Sequence, residues 1–226
     1  QRRIDQSLVV SGCAGSGKSI LALWKAKQIQ ESDNNSYVFV VFTKALHQYM
    51  SDGIRAIGLK GGNFRYFWQW QQQGSPVADY IIVDEVQDFT KEEIETFKKA
   101  ARKEFFFWGD DKQSIYEGLK NTQSVRSIAN DAGLLPEQLM FNHRLPKKIA
   151  RFAAQIVDDQ VLEGRCRKEG AEKPKVLKRN SLEEQLDISM ETINNRSITD
   201  SAILLSTNDA VRTAYKYLKD AGHTVE

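Results

Sequence analysis

Residues 8–20 decide the fold of this chain: Leu-Val-Val-Ser-Gly-Cys-Ala-Gly-Ser-Gly-Lys-Ser-Ile. A short apolar run at residues 8–10 is followed by the pattern G-x-x-x-x-G-K-[ST] at residues 12–19. Glycines let a backbone turn tightly and point its N–H groups inward, and these donors suit phosphate oxygens at the N-terminus of a helix. Apolar residues between 20 and 29 indicate that helix. The stretch therefore predicts a strand, a phosphate-binding loop and a helix.

Different residues of the predicted loop have different roles in holding a nucleotide. Lys18 can reach the β- and γ-phosphates, and the Ser19 hydroxyl can ligate Mg²⁺. We therefore predict ATP and Mg²⁺ as cofactors, and we interpret Cys13 as a packing residue. The remaining predicted phosphate contacts are Gly12, Gly15, Ser16 and Gly17.

Strand-like and helix-like segments alternate through the first part of the chain. The apolar runs at residues 37–42, 80–83 and 105–108 are typical of strands buried on both faces of a sheet. Thr90 and Glu93 predict a capping box at the start of an intervening helix. This alternation predicts an α/β fold with a parallel sheet and helices on both faces.

After Asn142 the alternation begins again. The elements predicted there are a helix at residues 149–156, an exposed loop or linker at 165–173, a helix at 182–193, a strand at 202–205 and a helix at 211–218. We predict one α/β domain at residues 1–142 and an incomplete second one at residues 143–226.

The composition narrows the possible classes of protein. The chain has 226 residues, of which 41% are hydrophobic and 27% charged, which is ordinary globular usage and argues against disorder. The net charge of +2 excludes a strongly basic surface overall, although it leaves a local basic groove open. Two cysteines without paired zinc spacing favour a reducing compartment, and we expect a cytoplasmic protein. No apolar run approaches the roughly 20 residues of a membrane span, so we expect no membrane partner.

An acidic pair follows one of the predicted strands. Residues 81–88 read Ile-Ile-Val-Asp-Glu-Val-Gln-Asp, which places Asp84 and Glu85 at the end of a strand. Ligands of parallel α/β sheets bind beyond the carboxyl ends of strands. Asp84 is suited to hold Mg²⁺ together with Ser19, and Glu85 could orient or deprotonate the attacking water. Acids at strand ends are often merely solvated, so this prediction depends on the phosphate loop.

A third polar segment follows the strand predicted at residues 105–108. Residues 108–116 read Trp-Gly-Asp-Asp-Lys-Gln-Ser-Ile-Tyr. Gln113 could form a hydrogen bond with a γ-phosphate and sense its loss. The alternative is a polar loop without such a role.

The order of these motifs resembles that of superfamily 1 helicases of the UvrD/Rep type. Five segments carry the resemblance, which spans nearly the whole chain: residues 12–19, 42–46, 83–88 (Asp-Glu-x-Gln-Asp), 109–116 (Gly-Asp-x-x-Gln-Ser-Ile-Tyr) and 142–145, which resemble the family's Asn-Tyr-Arg-Ser. The resemblance implies two RecA-like domains, the second beginning near residue 143, with ATP in the cleft between them.

The resemblance also implies the roles of single residues at the nucleotide. Glu85 would be the catalytic base, Gln113 would couple the γ-phosphate to DNA binding, and Arg144 would be an arginine finger acting beside Lys18. His143 stands where the family has a Tyr that stacks on adenine. Gln1 would correspond to an adenine-reading Gln.

Single-stranded DNA is the partner that the resemblance implies, with RNA as an open alternative. The implied contacts are Phe42, Thr43, Lys44, Tyr66 and Tyr116. Aromatic residues at 64–70 are interleaved with Arg65 and could stack on bases. The alternative interpretation of that run is an aromatic helix that packs on the sheet.

The chain departs from the family in three places. Only about three dozen residues separate Leu46 from Tyr80, where the family has a helical subdomain that helps to grip duplex DNA. Residues 117–119 are Glu-Gly-Leu instead of the family's Trp-Arg-Gly. The last two family motifs do not occur before Glu226, so we expect this chain to hydrolyse ATP weakly or not at all.

Two functions of different classes remain open. The chain is either an ATP-dependent helicase or translocase on single strands, or an ATP-dependent conformational switch that unwinds nothing. A nucleoside or nucleotide kinase would share the phosphate loop, but it would not explain the acidic motif, Gln113 or Arg144.

Overall fold

The computed structural model describes residues 4–32, 36–113, 121–170 and 172–225. The chain divides into two compact units, Gln1–Lys173 and Pro174–Glu226. Each unit has its own hydrophobic cluster, and the phosphate loop lies in the first.

A six-stranded parallel sheet forms the centre of the first unit. Its strands are β1 (Leu8–Gly12), β2 (Tyr37–Val41), β3 (Phe64–Tyr66), β4 (Ala78–Val83), β5 (Ala101–Gly109) and β6 (Glu137–Leu139). They lie in the order β3-β2-β4-β5-β1-β6, and every pair is parallel. The α/β fold with a parallel sheet is thus confirmed. The order brings the ends of β1, β4 and β5, after which the three motifs follow, to one edge of the sheet.

Helices cover both faces of this sheet. They are α1 (Lys18–Glu31), α2 (Lys44–Ala56), α3 (Phe67–Gln72), α4 (Lys91–Ala100) and α5 (Val125–Asp131). Residues of α1 and α2 share one buried cluster with Tyr80 and Ile82 of β4, whereas α3, α4 and α5 share another with Ile81 and Val83. Alternate residues of β4 therefore point to opposite faces, and both faces are buried. This burial explains the continuous apolar runs in the sequence.

The capping box at the start of α4 is confirmed. The Glu93 amide donates to the Thr90 hydroxyl at 3.3 Å, and the Thr90 amide donates to the Glu93 carboxylate at 2.8 Å. These two bonds satisfy backbone donors that a helix start leaves without partners.

A smaller substructure follows the sheet and belongs to the same compact unit. It consists of β7 (Asn142–Pro146), α6 (Lys147–Val157), α7 (Leu162–Arg165) and β8 (Cys166–Lys168), in which β7 and β8 pair in parallel. We call residues 142–168 the β7–β8 module. One expectation is corrected here: part of the expected linker forms β8, where Cys166 is fully buried. The compact units divide after Lys173, and the domain boundary at residue 142 stays a prediction.

The described part of the second unit contains two helices joined by a segment without regular secondary structure. Helix α8 (Leu182–Asn195) and helix α9 (Asn208–Asp220) enclose a small cluster around Leu186 and Leu218. The strand expected at residues 202–205 is a further correction: these residues have no regular secondary structure and pair with no strand in the described part of the chain. Ile203 packs against the cluster, whereas Leu204 is 91% exposed. No helix among the described residues has the length and apolar character to cross a membrane.

Candidate functional site

The phosphate loop joins β1 to α1, and glycines set its shape. Gly15 and Gly17 have φ angles of 70° and 92°, in the left-handed region that favours glycine. A side chain at Gly12 would place its Cβ 2.6 Å from the Ser16 hydroxyl and 2.9 Å from Leu139. The local sequence therefore permits a close turn at the carboxyl edge of the sheet.

Lys18 is buried and is held inside the loop. Its ammonium donates to the carbonyl oxygen of Gly12 at 2.9 Å and to that of Cys13 at 3.4 Å. The Asp110 carboxylate, which follows β5, lies 3.9 Å from the same nitrogen. These contacts fix a positive charge where the loop would receive phosphate.

Ser16 supplies a test of whether the loop fits an anion. Its hydroxyl is buried and has no hydrogen-bond partner among the described residues. An unpaired buried hydroxyl costs about 1–3 kcal/mol, which a ligand atom would recover. Together with the Lys18 ammonium, this free hydroxyl fits a phosphate group.

Asp84 follows β4 and is buried next to Ser19. The Ser19 side chain forms a hydrogen bond with Asp84, and the Glu85 amide donates to the Asp84 Oδ1 at 3.1 Å. Burial, and then the charge of Glu85, raise the pKa of Asp84 to about 6, although the bond from Ser19 opposes this shift. The structure thus brings together the two residues that were expected to hold Mg²⁺.

Glu85 is oriented by a neighbour that the sequence analysis did not assign. Its φ of 54° places it in the left-handed region, just before a short 3₁₀ helix. The buried Gln87 amide donates to the Glu85 carboxylate at 2.9 Å, and its oxygen accepts from the Asp110 amide at 2.9 Å. Gln87 therefore connects the acidic motif to the segment after β5. Its fixed place in the Asp-Glu-x-Gln-Asp signature was the signal for it.

Gln113 lies at the end of a 3₁₀ helix that follows Asp110. Its side-chain amide donates to the Asp110 carboxylate, the same group that lies 3.9 Å from the Lys18 ammonium. The expected sensor of the γ-phosphate is thus linked to the phosphate loop through one buried carboxylate.

Strand β7 joins the phosphate loop directly. The His143 amide donates to the Gly15 carbonyl at 2.9 Å. The buried Asn142 side chain accepts from the amides of Arg144 and Leu145 at 2.9 and 2.8 Å. A Cβ on Gly15 would lie 2.7 Å from the Arg144 Cβ. The exposed side chains of His143 and Arg144 therefore project next to the loop.

A cavity of about 450 Å³ opens at this place. Residues 14–21 line it together with Glu85, Gln113, His143 and Arg144. Its volume falls in the range of small-molecule sites. Ile20 and Leu21, which were not predicted as site residues, contribute exposed apolar side chains to the wall. Gln1 lies outside the described residues.

The expected nucleic-acid contacts lie elsewhere along the same edge of the sheet. The ring of Phe42 packs against that of Phe89, with centroids 5.1 Å apart, and the Thr43 hydroxyl caps α2 by accepting from the Leu46 amide at 3.2 Å. Lys44 is exposed, and Tyr66 is half-buried. None of these four residues lines the cavity. Tyr116 lies outside the described residues.

The aromatic run at residues 64–70 is mostly part of the hydrophobic core. Phe64, Phe67 and Trp70 are buried, and Trp70 packs against Phe97 with centroids 4.9 Å apart. Trp68, in contrast, is 63% exposed. The interpretation as a packed helix is confirmed for Phe67 and Trp70, whereas Phe64 is buried as part of β3 and Trp68 faces solvent.

Comparisons with family models, curated proteins and solved structures show what this chain is similar to. A family model described as "AAA domain" matches residues 2–119. No curated protein matches the chain.

Among solved structures, arterivirus nonstructural protein 10, a helicase, shares 15% identity with a TM-score of 0.48, covering 77% of this chain and 45% of that one. The UvsW helicase from bacteriophage T4 shares 16% identity with a TM-score of 0.38, covering 57% and 52%. The Hef helicase domain from Pyrococcus furiosus shares 10% identity with a TM-score of 0.44, covering 96% and 50%. The chain thus spans about half the length of these proteins.

Proposed function

Since the chain belongs to the family described as "AAA domain", we propose that it is an ATP-binding motor domain acting on nucleic acid. More specifically, we propose a superfamily 1 helicase or translocase of the UvrD/Rep type that uses Mg-ATP to move on single-stranded DNA. RNA is the alternative strand. The activity is proposed for the protein in which this chain functions.

One observation carries the proposal. Residues from four separated segments line the same cavity at the phosphate loop: the loop itself, Glu85, Gln113 and the pair His143 and Arg144. A glycine-rich turn without function would not need an acid, an amide and a guanidinium around it. The order of these segments along the chain is that of the helicase motifs.

The proposed binding roles follow from the side chains at the loop. The loop amides, the Ser16 hydroxyl and the Lys18 ammonium would contact phosphate oxygens, and Ser19 and Asp84 would hold Mg²⁺. Bound Mg²⁺ would offset negative charge on the phosphates. His143 would lie against the base, with Ile20 on the apolar wall of the same cavity.

The proposed catalytic roles belong to three further residues. Glu85 would take a proton from the attacking water, and Gln87 would hold its carboxylate in position. Arg144 would place positive charge near the transferred phosphate, and Gln113 would respond to that phosphate through its amide.

The excess of basic residues in the segment around β2 and β3 supports a nucleic-acid-binding surface there. Between residues 42 and 77 the chain has four basic side chains, Lys44, Arg55, Lys60 and Arg65, and one acidic one, Asp52. The whole chain is nearly balanced at +2, so this segment is locally basic. A locally basic segment that also exposes Trp68 would suit a single strand, because its charges would attract the phosphates while the ring stacked on a base.

ATP turnover by the full-length protein tests the proposal. We expect single-stranded DNA to stimulate turnover about tenfold or more, which corresponds to at least about 1.4 kcal/mol of barrier. The Lys18→Ala variant serves as the blank and should bind no Mg-ATP. Turnover that is unchanged in this variant would contradict the assignment of the loop.

A nucleotide-dependent switch is the second candidate, and one observation favours it. Phe42 and Tyr66 are each half-buried, and the Phe42 ring packs against that of Phe89, so two of the expected base contacts are only partly exposed. Turnover that ignores both DNA and RNA would support this candidate, and a search for protein partners would follow.

A further inference from the structure

The β7–β8 module contacts the nucleotide site at two places. The first is the bond between the His143 amide and the Gly15 carbonyl. The second lies at the turn that carries Gln113, where the Lys112 ammonium donates to the Asp159 carboxylate at 2.6 Å. The first contact uses backbone atoms, whereas the second depends on two side chains and can be altered by mutation.

Asp159 is held firmly on the module side of this contact. It lies between α6 and α7, where its amide donates to the Ala154 carbonyl at 3.1 Å and its carbonyl accepts from the Leu162 amide at 3.1 Å. Its side chain is 13% exposed and has Arg165 at 3.9 Å, while that of Lys112 is 66% exposed. Hydrogen bonding to Lys112 also lowers the pKa of Asp159. Asp159 therefore offers a fixed charged partner for the more exposed side chain of Lys112.

The turn on the other side contains groups of the nucleotide site. The Lys112 amide donates to the Asp110 carboxylate at 3.0 Å, and the same carboxylate accepts from Gln113 and lies near Lys18. A change in the position of Lys112 would therefore reach Gln113 through the adjacent peptide and through Asp110.

We propose that Asp159 is a positioning residue that, through its ion pair with Lys112, holds Gln113 at the nucleotide cavity. The pair couples the module that carries Arg144 to the turn that carries Gln113. Arg144 and Gln113 line the same cavity, so the ion pair sets the position of one relative to the other. This inference rests on the proposed function, because it assigns Gln113 to the γ-phosphate.

The competing interpretation is a surface ion pair without influence on the site. Exposed pairs contribute about 0–1 kcal/mol, which limits the expected effect to about fivefold in affinity. The test must therefore separate a small specific effect from general loosening of the site. ATP and ADP provide that separation, since ADP lacks the phosphate that Gln113 would contact.

The experiment measures the binding of ADP and of a non-hydrolysable ATP analogue, each with Mg²⁺, to the full-length protein without nucleic acid. Asp159→Asn and Lys112→Ala should each lower the affinity for the ATP analogue by about three- to fivefold and leave the affinity for ADP nearly unchanged. The double variant should bind the ATP analogue no more weakly than the weaker-binding single variant, because both changes remove the same ion pair between Lys112 and Asp159. Lys112→Arg should keep most of the wild-type affinity.

A matched control is available next to Asp159. Asp158 is exposed and its carboxylate accepts from the Gln160 side chain at 3.2 Å, so Asp158→Asn removes a neighbouring charge without breaking the bond to Lys112. This variant should bind both nucleotides as the wild type does. Thermal unfolding of every variant shows whether the fold is kept. The effect of Asp159→Asn should also shrink near 1 M salt, where the screening length falls to about 3 Å.

The outcomes distinguish the inference from the proposed function. Three results would each overturn the role of Asp159. They are an equal loss of affinity for both nucleotides, unchanged binding in the single variants, and additive effects in the double variant. Wild-type protein that binds neither nucleotide would overturn the proposed function and this inference with it.

Discussion

Asp84 is an acid in a place that disfavours its charge. Burial and the nearby Glu85 carboxylate raise its pKa from 3.8 to about 6. The folded state therefore holds the proton more tightly than the unfolded chain does. It follows that the free energy of unfolding falls as the pH rises from 3.8 through about 6, and that this loss persists at higher pH. A bound cation would offset it.

Asp84→Asn should consequently stabilise the nucleotide-free protein. We expect the free energy of unfolding to rise by about 1–3 kcal/mol near pH 8, because one pKa unit corresponds to about 1.4 kcal/mol. Urea denaturation without Mg²⁺ measures the change. The gain should fall by about half near pH 5, where the folded wild type is mostly protonated. The same variant should lose Mg²⁺-dependent nucleotide binding, and a less stable variant near pH 8 would contradict this account.

Gln87 gives a second prediction at the scale of single residues. It donates to Glu85 and accepts from the Asp110 amide, so its replacement should leave Glu85, the proposed catalytic base, without orientation. Gln87→Ala should lower kcat by about tenfold or more while nucleotide affinity changes little, since small misplacements cost rate more than binding.

Gln87→Glu provides the informative comparison in steady-state kinetics. It keeps an acceptor for the Asp110 amide, loses the donor to Glu85 and adds a repelling charge next to it. We expect kcat in this variant to be as low as in Gln87→Ala. A normal kcat in both variants would show that Gln87 does not position Glu85.

At the scale of elements, helix α3 carries one tryptophan in the hydrophobic core and another on the surface, only two positions apart. Trp70 is fully buried, contacts Phe97 and donates from its indole nitrogen to the Pro76 carbonyl at 3.3 Å, whereas Trp68 is 63% exposed. The sequence presents both as tryptophans of one aromatic run. Their difference arises because α3 turns one face to the sheet, and a six-residue helix is too short for the sequence to reveal that face.

These two tryptophans form a matched pair for a stability measurement. Trp70→Ala should lower the free energy of unfolding by about 3–5 kcal/mol, because it leaves a large cavity in the core. Trp68→Ala should change it by less than about 0.5 kcal/mol. Chemical denaturation monitored by circular dichroism compares them. Equal losses in the two variants would contradict the burial of Trp70 relative to Trp68.

At the scale of the whole molecule, the sequence predicted the features that follow from the order of motifs along the chain. It did not predict features that depend on contacts between residues distant in sequence. Motif order and strand ends were sufficient to predict that Ser19, Asp84 and Gln113 would lie along one sheet edge. The contribution of Leu21 to the cavity wall depends on which face of α1 stays uncovered, and no local pattern encodes that.

The domain boundary predicted at Asn142 and the division between the compact units after Lys173 lie at different places in the chain. Asn142 begins a motif, which suggested a new domain, but its side chain and strand are joined to the phosphate loop through contacts between residues distant in sequence. Such contacts cannot be recognised from a composition shift. The segment after β8, which is exposed over most of residues 172–180, is where the units divide.

Limited proteolysis tests this division directly. Trypsin should cut first after Lys175 or Lys178, which are exposed in a segment without helix or strand, since such segments are the preferred sites of nicking. Mass spectrometry of the early products identifies the cuts. The larger fragment should keep the β7–β8 module and all described residues of the nucleotide cavity, because these belong to the first unit. A first cut at Arg144, Lys147 or Lys148 would instead support a boundary near Asn142, because it would mean that the module opens before the segment that follows it.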